Sequence, residues 1–248
     1  MIKKYLPMAV AGAVLALGSA TTFAEEKSPV AANIALTNNY VWRGVSQTAK
    51  QMALQGGFDW AHDSGFYLGF WGSNVNFGND APGSNGEDGA QLEADIYGGY
   101  KFKAGPVELD LGILAYNYPG AASSLKYDFV EAYVGAGYGP VGVKFSYTDD
   151  YQGITKKEAT YLEANANIPL ADVATLILHV GSSGGDGVKE AFSAYGGTYV
   201  DYKVGVSKEF GGYGFTLAYT DTNHDNKKPA GKLGAADGMV LVSVARSF

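Results

Sequence analysis

The sequence predicts an all-β protein: a transmembrane antiparallel β-barrel of about twelve strands with a cleaved N-terminal signal peptide. Apolar and polar residues alternate in segments of about ten to thirteen residues, the length of a tilted membrane strand. Short turns alternate with longer polar loops, and outward aromatic residues gather near the strand ends. In the last segment, residues 239–248, Val240, Val242, Val244 and Phe248 share one face, and the other face is mostly small, with two hydroxyl residues. We expect this segment to close the barrel against residues 30–43.

The composition excludes several classes of protein. The chain has 248 residues, a formal net charge of -7, 35 Gly, 18 Tyr and no Cys. Without cysteine there is no disulfide framework and no thiolate metal site. Nucleic-acid binding requires a basic surface, so no nucleic acid is expected as a partner. The hydrophobic content of 46% is ordinary and does not suggest a bundle of membrane helices.

The N-terminus has the features of an export signal. Lys3 and Lys4 precede a short apolar run, and Thr22, Phe23 and Ala24 form a cleavage site with small residues at the required positions. The run is too short to span a bilayer as a helix. The expected organisation is therefore a signal peptide at residues 1–24 and an outer-membrane barrel domain at residues 25–248.

The alternation continues from Val30 to the end of the chain. In the first segment Ala32, Ile34 and Leu36 oppose Asn33 and Thr37, and later segments repeat the pattern. The short turns are predicted at residues 62–65, 103–105, 139–140, 169–171 and 211–212. The longer loops are predicted at residues 46–50, 77–89, 119–125, 149–157, 182–196 and 222–236. An even number of strands places both termini on one side of the membrane.

Aromatic residues on the predicted outer face cluster at the two ends of the strands, with aliphatic residues between them. Such clustering is typical of the two membrane interfaces, so outer-membrane lipid is an expected partner. The predicted aromatic girdle comprises Tyr40, Trp42, Trp60, Phe66, Tyr100, Phe102, Tyr138, Tyr147, Tyr213, Tyr219 and Phe248.

Several motifs resemble a known family. They are NYVWRGVSQT (residues 39–48), QGGFDW (55–60), GFYLGFWGSNV (65–75), EADIYGGY (93–100), DYKVGVSKE (201–209) and the final SVARSF (243–248). In order and over nearly the whole mature chain, these resemble the TorF family of porins, also called the Gcw_chp family. The resemblance implies an outer-membrane barrel of a Gram-negative bacterium, inserted by the barrel-assembly machinery through its C-terminal strand. It brings no catalytic or ligand-binding residues.

Charged residues on the predicted inner face are the candidates for function. Acids outnumber bases by about two to one among them. The candidate lumen charges are Arg43, Asp59, Glu93, Asp95, Lys101, Glu108, Asp110, Glu131, Lys144, Glu163, Asp201 and Lys203. One interpretation is an acidic, water-filled passage for small solutes with a weak preference for cations. The other is a lattice of charge pairs that fills a closed barrel, with Lys101 about opposite Glu108 as one pair.

Other chemistries have weaker support, so neither a cofactor nor a metal is expected. Residues 181–190, GSSGGDGVKE, lack the ending of a phosphate loop. Asn79, Asp80, Asn85, Glu87 and Asp88 supply oxygen ligands without the spacing of a calcium loop. A hydrolase would need a nucleophile and a base close together, and the sequence offers only inward Thr175 beside His179. The functional hypotheses are a porin, a non-conducting structural or adhesion barrel, and, least supported, a hydrolase.

Overall fold

A computed structural model describes residues 28–77, 89–122, 127–153, 155–192, 197–223 and 236–248. Within these ranges the chain forms one closed barrel of twelve antiparallel strands, as predicted. The predicted signal peptide at residues 1–24 lies outside the described residues. So do the loop residues that could have supplied oxygen ligands to calcium, Asn79, Asp80, Asn85, Glu87 and Asp88.

The barrel wall contains every strand except two short ones. In chain order the strands are β1 (Val30–Thr37), β2 (Val41–Trp42), β3 (Val45–Ser46), β4 (Ala53–Ala61), β5 (Phe66–Asn74), β6 (Leu92–Ala104), β7 (Val107–Asn117), β8 (Phe129–Tyr138), β9 (Val141–Thr148), β10 (Ala159–Leu170), β11 (Ala174–Gly184), β12 (Tyr199–Phe210), β13 (Tyr213–Thr222) and β14 (Met239–Ser247). Strands β2 and β3 pair only with each other. Between wall strands the structure also has a 3₁₀ turn (Tyr151–Gly153) and a short helix α1 (Asp186–Ala191).

The barrel closes between its first and last strands. Asn33 pairs with Ser247 and Thr37 pairs with Ser243, while the other edge of β1 pairs with β4. The predicted closure by residues 239–248 is therefore confirmed. The predicted first strand is too long, because β1 ends at Thr37 and the chain then leaves the wall. The chain leaves the wall at Asn38. The side-chain Nδ2 of Asn38 donates to the Val240 carbonyl at 3.0 Å, and its Oδ1 accepts from the Val242 N–H at 2.9 Å.

Connections of two lengths distinguish the ends of the barrel, which we call the short-turn end and the long-loop end. The short turns are at residues 62–65, 105–106, 139–140, 171–173 and 211–212. Gly211 and Gly212 have φ values of 63° and 78°, the conformation of a two-residue hairpin turn. Two turns begin later than predicted, at residues 105 and 171, because β6 and β10 are longer. As a result Lys101 pairs with Asp110 and not with Glu108, which instead faces Lys103.

The outer surface of the barrel is apolar between its ends. Mid-strand aliphatic and aromatic side chains such as Val143, Val204 and Leu217 are exposed, and the neighbours that alternate with them point inward. A continuous exposed apolar belt around a closed barrel is stable in lipid. Among the residues that the structure describes, no helix has the length and apolar character to cross a membrane.

Candidate functional site: a hairpin folded into the barrel lumen

The connection between β1 and β4 folds back into the barrel, and we call it the lumen hairpin (residues 38–51). Strands β2 and β3 pair as Val41 with Ser46 and Trp42 with Val45, which leaves a two-residue turn. Its residues, Arg43 and Gly44, have positive φ values of 49° and 77°, as this type of turn requires. A Cβ at Gly44 would lie 2.4 Å from Cγ2 of Thr222 and 2.7 Å from Cβ of Asp201. Glycine therefore lets the hairpin tip touch the wall at β12 and β13.

Buried polar side chains hold the base of the lumen hairpin. The hydroxyl of Ser46 donates to Oδ1 of Asn39 at 2.7 Å, and the Tyr40 N–H donates to Oγ1 of Thr48 at 3.1 Å. The Asn39 amide also contacts the sulfur of Met239 on β14 at 3.0 Å. Because these groups are satisfied within the hairpin and at the wall, the inward conformation buries few unsatisfied polar atoms.

Aromatic packing places Tyr40 and Trp42 inside the barrel, so their assignment to the outer girdle was wrong. Tyr40 and Trp42 are only 2% and 7% exposed. The ring of Trp42 packs edge-on against Tyr116 at 5.9 Å and stacks with Tyr151 at 6.3 Å. Tyr40 and Trp42 continue the two-residue alternation of β1, although they lie in the hairpin. The sequence pattern therefore assigned both side chains to the outer face. The rest of the predicted girdle is exposed on the outer surface: Trp60, Phe66, Tyr100, Phe102, Tyr138, Tyr147, Tyr213, Tyr219 and Phe248.

Arg43 at the hairpin tip makes the most enclosed ionic contact of the lumen. Its Nη2 donates to Oε2 of Glu131 on β8 at 2.7 Å, and the two side chains are 7% and 4% exposed. The guanidinium carbon lies 4.3 Å from the ring centre of Trp42 and 4.1 Å from that of Tyr161. The cation is thus held between two aromatic faces and neutralised by a buried carboxylate.

Two further carboxyl groups lie beneath the lumen hairpin on β6. Glu93 accepts a hydrogen bond of 2.9 Å from the Tyr40 hydroxyl. Asp95 is buried, interacts electrostatically with Glu93 and Glu131, and has an Oδ1 atom without a hydrogen-bond partner among the described residues. Burial and the nearby Glu93 raise the pKa of Tyr40 well above its ordinary value, so this phenol stays protonated as a donor.

The short-turn half of the lumen is more open, and we call it the vestibule. Along β10 the lumen-facing residues change from buried at Ala159 and Tyr161 to half-buried at Glu163, Asn165 and Asn167. The same change occurs along β6, whereas on β12 buried Gly205 lies between half-buried Lys203 and Ser207. The charged or polar groups that line the vestibule are Asp59, Lys101, Glu108, Lys144, Glu163, Asn165, His179 and Lys203. The lumen is therefore packed beside the hairpin and partly solvated below it.

Charge pairs and hydrogen bonds organise the vestibule wall. Lys144 lies 2.8 Å from Glu163, and Lys101 lies 3.9 Å from Asp110. Tyr67 donates to Asp110 at 2.7 Å, and the hydroxyls of Tyr67 and Tyr133 are hydrogen-bonded to each other. All twelve predicted lumen charges thus lie on the lumen side, and several are neutralised in pairs that the sequence could not specify.

His179, which the hydrolase hypothesis required as a general base beside Thr175, contacts other residues. Its Nε2 lies 2.7 Å from Asp201 and 3.1 Å from the Tyr161 hydroxyl, and its Nδ1 lies 2.7 Å from Asn165. Thr175 is not among the hydrogen-bond partners of this ring in the described part of the chain. Within those same ranges no three histidine or acidic side chains are arranged to hold a metal ion.

The lumen hairpin was not among the elements predicted from the sequence. Its visible signal was the stretch Asn39 to Thr48, in which an Arg-Gly pair separates Val41 and Trp42 from Val45 and polar residues follow. An Arg-Gly pair with positive φ is compatible with a tight hairpin, but no local pattern indicates that the hairpin points inward.

Two solved porin structures have a similar fold. The "KdgM porin in complex with disordered oligogalacturonate" matches with a TM-score of 0.51 and 10% identity over 88% of this chain and 98% of that chain. The NanC porin matches with a TM-score of 0.53 and 7% identity over 88% of this chain and 97% of that one. At such identities the likeness establishes the fold alone. No curated protein sequence matches significantly. The model of a family described as "Bacterial protein of unknown function (Gcw_chp)" matches residues 23–248, and the chain therefore belongs to the Gcw_chp family.

Proposed function

We propose that the protein is an outer-membrane porin of a Gram-negative bacterium, a passive channel for small hydrophilic solutes with a weak preference for cations. The observation that carries this proposal is the vestibule: a closed barrel with an apolar belt outside and partly exposed charged side chains inside. The fold shared with KdgM and NanC and the resemblance to TorF porins support it.

The preference for cations follows from the balance of lumen charges. Arg43, Lys101 and Lys144 are paired with Glu131, Asp110 and Glu163. Outside these pairs the predicted lumen charges are five acids, Asp59, Glu93, Asp95, Glu108 and Asp201, and one base, Lys203; Glu108 faces Lys103 and Asp201 contacts His179. In a confined passage their fields add, so cations are favoured over anions.

The lumen hairpin is the proposed constriction of this channel. It fills the long-loop half with Tyr40 and Trp42, and the wall residues around it are buried. Solutes that enter from that side must pass the hairpin or displace it. We therefore expect small conductance, with steps that report movement of the hairpin.

A non-conducting structural or adhesion barrel is the second candidate, and the packing of the long-loop half favours it. The same aromatic cluster that forms a constriction could close the lumen permanently. A hydrolase is the weakest hypothesis, because the contacts of His179 join it to Asp201, Tyr161 and Asn165 and not to the hydroxyl of Thr175, which that hypothesis required as the nucleophile.

Export and assembly complete the proposal. We expect residues 1–24 to direct export and to be removed. Strand β14 and the exposed terminal Phe248 are the proposed contact with the barrel-assembly machinery. Outer-membrane lipid covers the apolar belt.

Single-channel recording of the refolded protein in planar bilayers under a salt gradient tests the proposal. We expect small conductance steps and a reversal potential on the cation side. A variant in which residues 40–47 are replaced by two glycines should conduct more than the wild type. A folded barrel that passes no current even after this shortening would reject the porin in favour of the structural barrel.

A further inference from the structure

We propose that the long-loop half of the lumen contains a binding site for a small organic cation of the guanidinium class, which Arg43 of the lumen hairpin occupies in this structure. The site would serve a solute that enters the channel or regulates it, so the inference rests on the proposed function. Its parts are the ring of Tyr161 and the carboxylate of Glu131, and the buried Asp95 interacts electrostatically with Glu131.

The contacts of Arg43 are those that a protein gives to a bound guanidinium ligand. The wall supplies a carboxylate at 2.7 Å through Glu131 and an aromatic face at 4.1 Å through Tyr161. The hairpin adds the second aromatic face through its own Trp42. A planar cation between aromatic rings and beside a carboxylate matches the geometry by which guanidinium groups are recognised.

The wall would be left with unbalanced negative charge if the hairpin withdrew. Glu131 would lose its cation and keep only a 3.3 Å hydrogen bond from the Tyr116 hydroxyl. Glu93 would lose the hydrogen bond from Tyr40. Asp95, which is 5% exposed, already has one oxygen without a partner among the described residues. Without Arg43 the Glu131 carboxylate has no counter-charge, and a free cation that enters the site can supply one.

The chemistry of the wall favours an organic cation over a metal ion. The described residues contain no group of three side chains arranged to hold a metal. Tyr161, Tyr116 and Phe129 instead present aromatic surface around Glu131, with Tyr116 and Phe129 stacked at 4.3 Å. Aromatic faces attract large, weakly hydrated cations such as guanidinium.

The lumen hairpin is connected to the wall in a way that permits exchange. Strands β2 and β3 form a separate two-stranded sheet and share no ladder with the barrel. Its tip is held by the Arg43–Glu131 pair, by packing at Gly44 and by the packing of Trp42 against Tyr116 and Tyr151. A free guanidinium solute that competes for Glu131 would remove the ionic contact and so loosen the tip without breaking the barrel sheet.

Cysteine labelling detects this exchange, because the chain has no native cysteine. Val45→Cys places a thiol on the partly buried hairpin, and Lys50→Cys places one at its exposed base as the matched control. In refolded protein in detergent, methylguanidinium at millimolar concentration should accelerate maleimide labelling of Val45→Cys several-fold. N-methylurea, its neutral counterpart, should leave the rate unchanged, as should either compound for Lys50→Cys. No acceleration, or an equal effect of N-methylurea, would overturn the inference.

A second measurement examines the vacated site directly. Arg43→Ala should lower the thermal midpoint of the refolded barrel, and methylguanidinium should restore part of the loss while N-methylurea does not. The double variant Arg43→Ala with Glu131→Gln should show no restoration. If Arg43→Ala fails to refold, the labelling result decides alone. Neither assay depends on ion conductance. Binding without conductance would reject the porin function and keep the site, whereas conductance without binding would reject the site.

Discussion

Arg43 and Glu131 form a buried ion pair of 2.7 Å between residues 88 positions apart in the sequence. Arg43 belongs to the connection between β1 and β4, and Glu131 belongs to β8, on the far side of the lumen. One contact therefore spans the inside of the barrel and fixes the position of the hairpin that fills it. The closed state of the long-loop half depends on this relationship.

The first prediction concerns the cost of breaking this pair. Arg43→Met leaves the Glu131 carboxylate buried without a counter-charge, and we expect a loss of about 3–5 kcal/mol in the free energy of unfolding. The double variant with Glu131→Met should recover most of the loss, because it leaves no buried charge. Urea titration of the refolded barrel, followed by tryptophan fluorescence, measures both.

Lys156→Met is the matched control for that experiment, because its ion pair with Asp150 is exposed. Its side chain is 74% exposed, and such pairs contribute about 0–1 kcal/mol. Equal losses for Arg43→Met and Lys156→Met would show that the pair across the lumen does not stabilise the barrel.

The second prediction concerns the hairpin turn. Gly44→Ala adds a methyl group that would lie 2.4 Å from Thr222, so the tip must move away from the wall. We expect a higher single-channel conductance. Gly120→Ala is the control, because Gly120 has a similar φ of 88° with nothing within 4 Å of an added Cβ. It imposes the same backbone strain without crowding and should leave conductance unchanged. An unaltered Gly44→Ala channel would mean that the tip does not limit the current.

The third prediction compares the two faces of β12. Val204→Arg places a charge in the apolar belt and should destabilise the barrel by about 2–4 kcal/mol in lipid. Ser207→Arg places the same charge on the lumen side, in the half-exposed vestibule, and should cost less. Gly205 cannot serve as this control, because a Cβ there would lie 2.6 Å from Cβ of Ala218. Refolding titrations in lipid vesicles measure the difference, and equal losses would contradict the assigned faces.

The wall of the barrel could be predicted from the sequence because the direction of a side chain on a strand depends on its position along that strand. Side chains of a strand alternate between lipid and lumen, so Ile34, Leu36 and Val242 report their own environment. The lumen hairpin could not be predicted in this way. Tyr40 and Trp42 continue the same alternation, yet they leave the wall at Asn38 and pack against side chains that come much later in the chain.

The register of the β6–β7 pair and the pairing of the lumen charges were equally hard to predict from the sequence. The β6–β7 turn begins at residue 105 and not at 103, and this moved the partner of Lys101 from Glu108 to Asp110. The number of lumen acids was therefore evident from the sequence, whereas their neutralisation in pairs was not.

The last prediction concerns ion selectivity and separates the exposed lumen acids from the buried ones. Asp59 and Glu108 are half-buried in the vestibule, whereas Glu93 and Asp95 are buried beneath the hairpin. Ions that cross the vestibule approach the first two closely, so Asp59→Asn with Glu108→Gln should move the reversal potential toward that of chloride. Glu93→Gln with Asp95→Asn should move it in the same direction by a smaller amount. Both shifts should diminish as salt rises, because screening shortens the reach of each charge. Lys203→Gln removes a positive charge from the lumen and serves as the control of opposite sign. It should strengthen the preference for potassium. A wild-type channel that prefers chloride, or a larger shift from the buried pair, would contradict this account of the lumen.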